Sequence, residues 1–326
     1  MKTLLKTKTL LLLLSLTVLT SCSNDDDNNA TPTPNIVETA LATPDLSILV
    51  QALQAADGDL ITVLNGDGPF TVLAPTNAAF NNFLTANGFA SLDDVPTDVL
   101  SQILLNHVIS GEVLSTNLST GYVNTSASGV GGNNLSLYVN TSSGVRFNGV
   151  SNVSTADVVA SNGVVHIVDA VIGLPDVTTF ATADPNFSSL VSALTADASF
   201  TYVSTLQTPD GTSPAPFTVF APTNTAFQNL LDSNPDWNTL ADIPTATLSA
   251  VLEHHVIAAN NIRSSVLSDG LETPATLEGS TLTVNIDGAN VSLTDGSGGS
   301  SNVIAVDVQG VNGVIHAIDT VLIPSL

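Results

Sequence analysis

The chain has 326 residues, 43% apolar and 10% charged, a length that suits two domains of ordinary size. Its charge is lopsided: 5 Lys+Arg against 29 Asp+Glu give −24, and three of the bases (Lys2, Lys6, Lys8) lie near the start. Beyond residue 21 only Arg146 and Arg263 face the 29 acids, a balance of −27 that repels phosphate backbones and anionic lipid heads and excludes nucleic-acid binding and a polybasic membrane patch.

Residues 1–21 read as an export signal, with three lysines ahead of an apolar stretch, Leu10 to Leu19, too short to span a bilayer as a mature helix. The segment ends Leu19-Thr20-Ser21-Cys22, which resembles a bacterial lipobox, and Cys22 is the expected lipid anchor. Several acyl chains on one residue anchor a protein where a single chain cannot. As the one cysteine of the chain, Cys22 also excludes a disulfide framework, a cysteine zinc site and a dithiol redox pair. Residues 22–35 form a polar tether, and the run Asp25-Asp26-Asp27 resembles the export tag of some Gram-negative surface lipoproteins. The expected location is therefore the outer membrane, exposed on the cell surface, with a periplasmic spacer as the alternative.

The remainder repeats. FTVLAPTNAAF at 70–80 returns as FTVFAPTNTAF at 217–227, and LDDVPTDVLSQILLNHVI at 92–109 as LADIPTATLSAVLEHHVI at 240–257. NGVVHIVDAVI at 162–172 returns as NGVIHAIDTVL at 312–322. The copies are residues 36–175 and 176–326, and the second carries a turn-rich insertion at Thr208 to Pro216.

Each copy opens on a helix whose apolar residues, Leu46, Leu49, Val50 and Leu53, match Phe187, Leu190, Val191 and Leu194. A short strand follows and stops at Pro75 or Pro222, after which Thr76 or Asn77 (Thr223 or Asn224) can cap a second helix. A further helix follows Pro96 or Pro244. The period then becomes two, predicting strands at Leu135 to Val139, Val145 to Phe147, Asp157 to Ala160 and Val164 to Val168. Helices followed by antiparallel strands predict an α+β fold.

The paired stretches FTVLAPTNAAF/FTVFAPTNTAF and NGVVHIVDAVI/NGVIHAIDTVL resemble the two signatures of fasciclin domains, and LLNHVI/LEHHVI resembles the histidine motif between them. The resemblance implies two tandem fasciclin-like domains, each a β-sheet wedge with a helical layer, and a usual role in cell adhesion. Where the family often has tyrosine before the central histidine, this chain has Asn106 and His254. In some animal fasciclin domains an Asp-Ile pair just before the second signature contributes to integrin recognition. Asp157-Val158 and Asp307-Val308 stand at those positions and are the candidate partner-binding residues.

The histidines are the natural suspects for chemistry. His107 and His255 continue the apolar stripes of their helices, which favours buried, hydrogen-bonded rings over bases. His166 and His316 alternate with apolar residues on a strand, and Asp169 and Asp319, three residues on, fall on the opposite face. That spacing suits neither a metal site nor a catalytic pair. His254 reads as a surface histidine. The runs Asp57-Gly58-Asp59 and Asn65-Gly66-Asp67-Gly68 read as turns, because neither continues to the bidentate glutamate of a calcium loop.

No cofactor or metal is expected, and no motif requires catalysis. The expected function is adhesion to an unidentified protein, matrix or cell-surface ligand, by a basic or cation-bridged partner if charge drives it. The alternative is a ligand- or glycan-binding module serving a partner membrane protein. It predicts a concave pocket with aromatic residues, for which 5% aromatics, one Trp and three Tyr are poor equipment.

Overall fold

The computed structural model describes residues 32–325, of which Thr33 onward forms one compact unit. The signal segment 1–21, Cys22 and the run Asp25-Asp26-Asp27 lie outside the described residues.

The first copy runs α1 (Ile36–Ala42), α2 (Ser47–Ala55), α3 (Leu60–Leu64), β1 (Phe70–Pro75), α4 (Asn77–Ala86) and α5 (Thr97–Leu105). Its strands follow as β2 (Val108–Ser110), β3 (Gly121–Ser128), β4 (Asn134–Asn140), β5 (Arg146–Phe147), β6 (Ser151–Ala160) and β7 (Gly163–Val168). The second copy repeats the plan with α6 (Val177–Ala183), α7 (Ser188–Leu194), α8 (Tyr202–Leu206), β8 (Phe217–Pro222), α9 (Asn224–Asp232) and α10 (Thr245–His254). It ends with β9 (Val256–Ala258), β10 (Thr283–Asp287), β11 (Asn290–Thr294), β12 (Ser300–Gly310) and β13 (Gly313–Ile318).

The strand orders are β2-β1-β7-β6-β5-β4-β3 and β10-β11-β12-β13-β8-β9. The α+β class holds, with one correction to the strands. β1 pairs with β7 in parallel, and β8 with β13, so each sheet is mixed rather than antiparallel throughout. The expected strand at Asp157 to Ala160 is the end of the longer β6, and a register shift separates its two halves.

Alternation along β1 builds two cores on opposite faces. Val72 and Ala74 pack with Leu49, Leu53, Phe80, Leu100 and Leu104 beneath the helices. Leu73 points the other way, into a cluster with Leu137, Val139, Phe147, Val168 and Ile172 where the sheet curls over itself. The second copy does the same: Val219 and Ala221 face the helices, and Phe220 joins Leu282, Val284, Leu293 and Ile318. This is the expected wedge with a helical layer.

The repeated asparagines fasten distant segments. Asn162, in the turn before β7, accepts the Ile36 N–H at the start of α1 (2.9 Å) and donates to the Leu64 and Gly66 carbonyls (2.7 and 2.8 Å). Asn312 repeats these bonds to Val177, Leu206 and Thr208. Thr76 caps α4, and Thr223 caps α9. The neighbouring Asn77 instead reaches α2, accepting from Ile48 N (2.8 Å) and donating to Pro44 O (3.0 Å), as Asn224 does with Ser189 and Pro185.

The copies share a seam. Tyr138 of β4 is 2% exposed and belongs to the core of the second copy, beside Phe180 and Phe187. Tyr122 donates to the buried Asp184 carboxylate (2.9 Å), and Gln309 N–H donates to Ser136 Oγ (2.9 Å). A Cβ on Gly129 would stand 2.6 Å from the Gly310 carbonyl, so a side chain there would force the seam apart. Truncating Tyr138 removes a buried ring from a core that it shares with the other copy. Tyr138→Ala should therefore lower the stability of the second domain by about 3 kcal/mol, although the residue belongs to the first. Residues 176–326 alone should fold but melt below the same domain in the pair. Thermal unfolding followed by domain-specific hydrogen exchange checks both outcomes.

Candidate functional site

The two central histidines occupy matching places at the ends of α5 and α10. His107 Nδ1 donates to the Ile103 carbonyl one turn back (2.7 Å), and its Nε2 accepts the N–H of Ile172 (2.9 Å). His255 bonds Val251 O and Leu322 N in the same way (2.6 and 2.9 Å). Each ring thereby ties a helix end to the chain leaving the last strand, and both rings are buried. Burial pushes both down to about 4, against a helix carbonyl that favours the proton. A neutral ring with both nitrogens engaged has neither lone pair nor proton left for a substrate.

His166 is also buried and faces β6, where the candidate Asp157 lies. Asp157 has a left-handed backbone (φ 60°), which turns its N–H onto His166 Nδ1 (3.2 Å), while Nε2 donates to Val113 O (2.9 Å). The Asp157 carboxylate accepts from Ser115 N (2.7 Å) and Ser115 Oγ (2.6 Å). Those two bonds hold it below the usual carboxylate range. Asp307 repeats the arrangement at φ 61°, with His316 Nδ1 at 3.4 Å and Ser264 N and Oγ at 2.8 and 2.6 Å. His316 Nε2 bonds Ile262 O (2.8 Å), and burial lowers its pKa. The second copy adds Arg263, 3.4 Å from Asp307, where the first copy has Leu114.

The candidate aspartates are thus partly enclosed: side-chain exposure is 35% for Asp157 and 19% for Asp307. Both tie a bulged strand to the loop after β2 or β9. Val158 is half-buried, and Val308 is buried in the helical core. The next residue in the first copy, Val159, is 60% exposed.

Asp169 does not meet His166. It accepts from Asn152 N and Nδ2 (2.7 and 2.9 Å), and Asp319 does the same with Asn302 (2.9 and 2.8 Å), pinning the start of β6 or β12. Among the described residues no three His, Cys, Asp or Glu side chains gather as a metal site.

One histidine corrects the sequence reading. His254 is buried rather than on the surface, because the loop ahead of β10 folds over the end of α10. Its Nδ1 lies 3.3 Å from Glu278 and 3.0 Å from Ser280 Oγ. Asn106 in the first copy is equally buried but bonds Gly173 O and Thr125 Oγ1 instead (3.0 and 3.1 Å).

The neutral central histidines make a signed prediction. An unfolded chain protonates them as pH falls through about 6.5, the native fold only near 4, so native stability is complete above the first value and lost between the two. Each histidine should contribute about 3 kcal/mol to that loss. Denaturant unfolding at several pH values between 7.5 and 4 measures it, and a His107→Gln/His255→Gln pair should flatten the slope. His107→Ala and His255→Ala should each destabilise their own copy by about 1–3 kcal/mol at neutral pH.

Comparison with known proteins places this architecture. The fasciclin domain model matches residues 44–175 and 185–324. Human periostin is 31% identical over 269 residues, covering 80% of this chain and 29% of periostin. The pig transforming growth factor-beta-induced protein ig-h3 is 30% identical over 270 residues, again 80% of this chain and 35% of its own length. Among bacterial proteins, Protein sll1483 of Synechocystis is 38% identical over 137 residues, 42% of this chain and 72% of that protein. This chain therefore spans about a third of the two animal relatives. The solved FAS1 domain pair of the insect cell adhesion molecule Fasciclin I shares the fold, with a TM-score of 0.51 at 22% identity over 86% of this chain and 97% of that one. Matched over most of its length and twice in succession, the chain belongs to the fasciclin domain family and carries two such domains in tandem.

Proposed function

We propose that the protein is a non-catalytic adhesion lipoprotein, anchored in the outer membrane through Cys22 and displaying its two fasciclin domains outside the cell. The observation that carries this reading is where the motif residues go. His107, His166, His255 and His316 are buried and bonded to backbone, and Asp169 and Asp319 hold strand ends. The repeated motifs build the fold and leave recognition to the exterior. Likeness to the pair from an insect cell adhesion molecule supports the choice of adhesion.

Among the described residues no single helix is long and apolar enough to cross a membrane, so attachment in this reading falls to the acylated cysteine. The partner is a protein, matrix component or cell-surface ligand, met by weak single contacts that many copies on one membrane multiply. With a balance of −27 beyond residue 21, any long-range steering favours a basic partner or one bridged by a divalent cation. Such steering is screened beyond roughly 8 Å at physiological ionic strength.

Cys22→Ser should abolish incorporation of a fatty-acid analogue in metabolic labelling, and equal labelling of both proteins would remove the anchor from the proposal. Bead or cell attachment tests the adhesion itself. Asp157→Ala and Asp307→Ala should each reduce attachment, the double variant most, with melting temperature as the control for lost Ser115 and Ser264 bonds. Undiminished attachment by a folded double variant would move recognition to another part of the exterior. Failure of the wild type to attach to any cell, matrix or glycan surface would sink the adhesion reading.

A further inference from the structure

A groove on the second domain, between α8 and α10, brings aromatic rings, hydroxyls and a carboxylate together. Phe200 and Tyr202 stand side by side with ring centroids 5.0 Å apart and planes at 57°, both half-buried. Opposite them, α10 presents Thr245, Ser249 and Glu253, and the groove, open to solvent, has a volume of about 550 Å3. That lies within the roughly 300–1,000 Å3 of small-molecule sites. Tyr202 OH donates to Glu253 Oε1 (2.7 Å), and Ser249 Oγ lies 2.7 Å from the Tyr202 oxygen and 3.2 Å from the same carboxylate oxygen, with one proton to share between them. The other oxygen, Glu253 Oε2, carries no bond to the described residues and is available to accept.

The first domain shows that the fold does not require this. Leu60 opens α3 where Tyr202 opens α8, Leu105 stands where Glu253 does, and the turn Asp57 to Leu60 has no aromatic residue. At the same place in the first domain, Leu60 is core and Leu105 packs against it. The second domain has therefore exchanged two apolar residues for a phenol and a carboxylate that bond each other across 51 residues, and has set a phenyl ring beside them. Phe200 and Tyr202 pack against the core of the second domain yet stay half-buried and line the groove, so part of each ring faces it beside a carboxylate that the first domain lacks.

We infer that this groove binds a neutral carbohydrate. A sugar ring offers an apolar C–H face, which an aromatic ring receives, and a rim of hydroxyls that both donate and accept. Ser199 and Thr245 give their protons to Asp197 (2.6 and 3.5 Å) and Ser249 shares its own between Tyr202 and Glu253, so their oxygens accept from sugar hydroxyls, as Glu253 Oε2 does. Charge narrows the class. Neither Arg146 nor Arg263 lines the groove, and Glu253 together with the overall charge of the chain repels sulfated and uronic sugars. The site supplies a ligand class for the adhesion reading but does not depend on it, because sugar binding and cell attachment are measured apart.

The test uses the full chain, purified in detergent, against neutral oligosaccharides: maltotriose, cellotriose, mannotriose, xylotriose and chitotriose. Saturation-transfer NMR and calorimetry should find at least one that binds, with transfer from aromatic protons. Phe200→Ala and Glu253→Gln should each weaken binding at least tenfold. Tyr202→Phe keeps the ring and the fold and should weaken it about threefold. Loss of sugar binding with cell attachment intact would keep the site and separate it from adhesion. Three results would overturn the inference: no neutral sugar bound, equal binding by wild type and all three folded variants, or displacement of the sugar by a lysine-rich peptide that binds the groove more tightly.

Discussion

The parallel pairing of β1 with β7, and of β8 with β13, is the constraint on which the rest of each domain depends. It joins the first strand of the domain to its last, so the whole chain between them must close as a loop. The approach is close. A Cβ on Gly163 would lie 1.9 Å from the Phe70 carbonyl, and one on Gly313 would lie 2.3 Å from that of Phe217. Both glycines follow the fastening asparagines, which fix the first helix of the domain to the same corner. Removing the side chain at this point lets two backbones touch, and the asparagine amide then satisfies the polar groups that the turn leaves behind.

With that corner set, the histidines follow. His107 and His255 lie at helix ends, His166 and His316 on the last strands, and each of these four rings joins backbone groups that no regular ladder reaches. An imidazole suits the task because one nitrogen donates while the other accepts, provided the ring stays neutral. The same demand that makes these residues useful as fasteners withdraws them from acid–base chemistry.

Much of this was legible in the sequence, and the exceptions have physical causes. The duplicated motifs located β1, β8, β7, β13 and the helices around them, because period and punctuation are local. Strand direction was not legible, since a period of two is the same for parallel and antiparallel neighbours. β3 escaped because its burial follows no simple alternation along GYVNTSAS. Asn77 read as a cap, yet its partners Ile48 and Pro44 lie far back in the chain. His254 read as exposed because the loop that covers it begins some twenty residues later. The composition gave the number of aromatic residues but not their meeting places, such as Phe200 with Tyr202 beside Glu253.

The seam between the copies has one further consequence, for how such domains concatenate. It is heterologous: one side is Tyr122, Ser136 and Tyr138, the other Phe180, Asp184 and Gln309. Within this chain each domain carries only one of those halves. Thr39 and Thr43 replace Phe180 and Asp184 in the first copy, and β10 and β11 of the second contain no tyrosine. A solenoid grows because every unit presents both faces to its neighbours. Here order is encoded in the joint, so swapping the two domains, or repeating either one, would bring together surfaces that do not match.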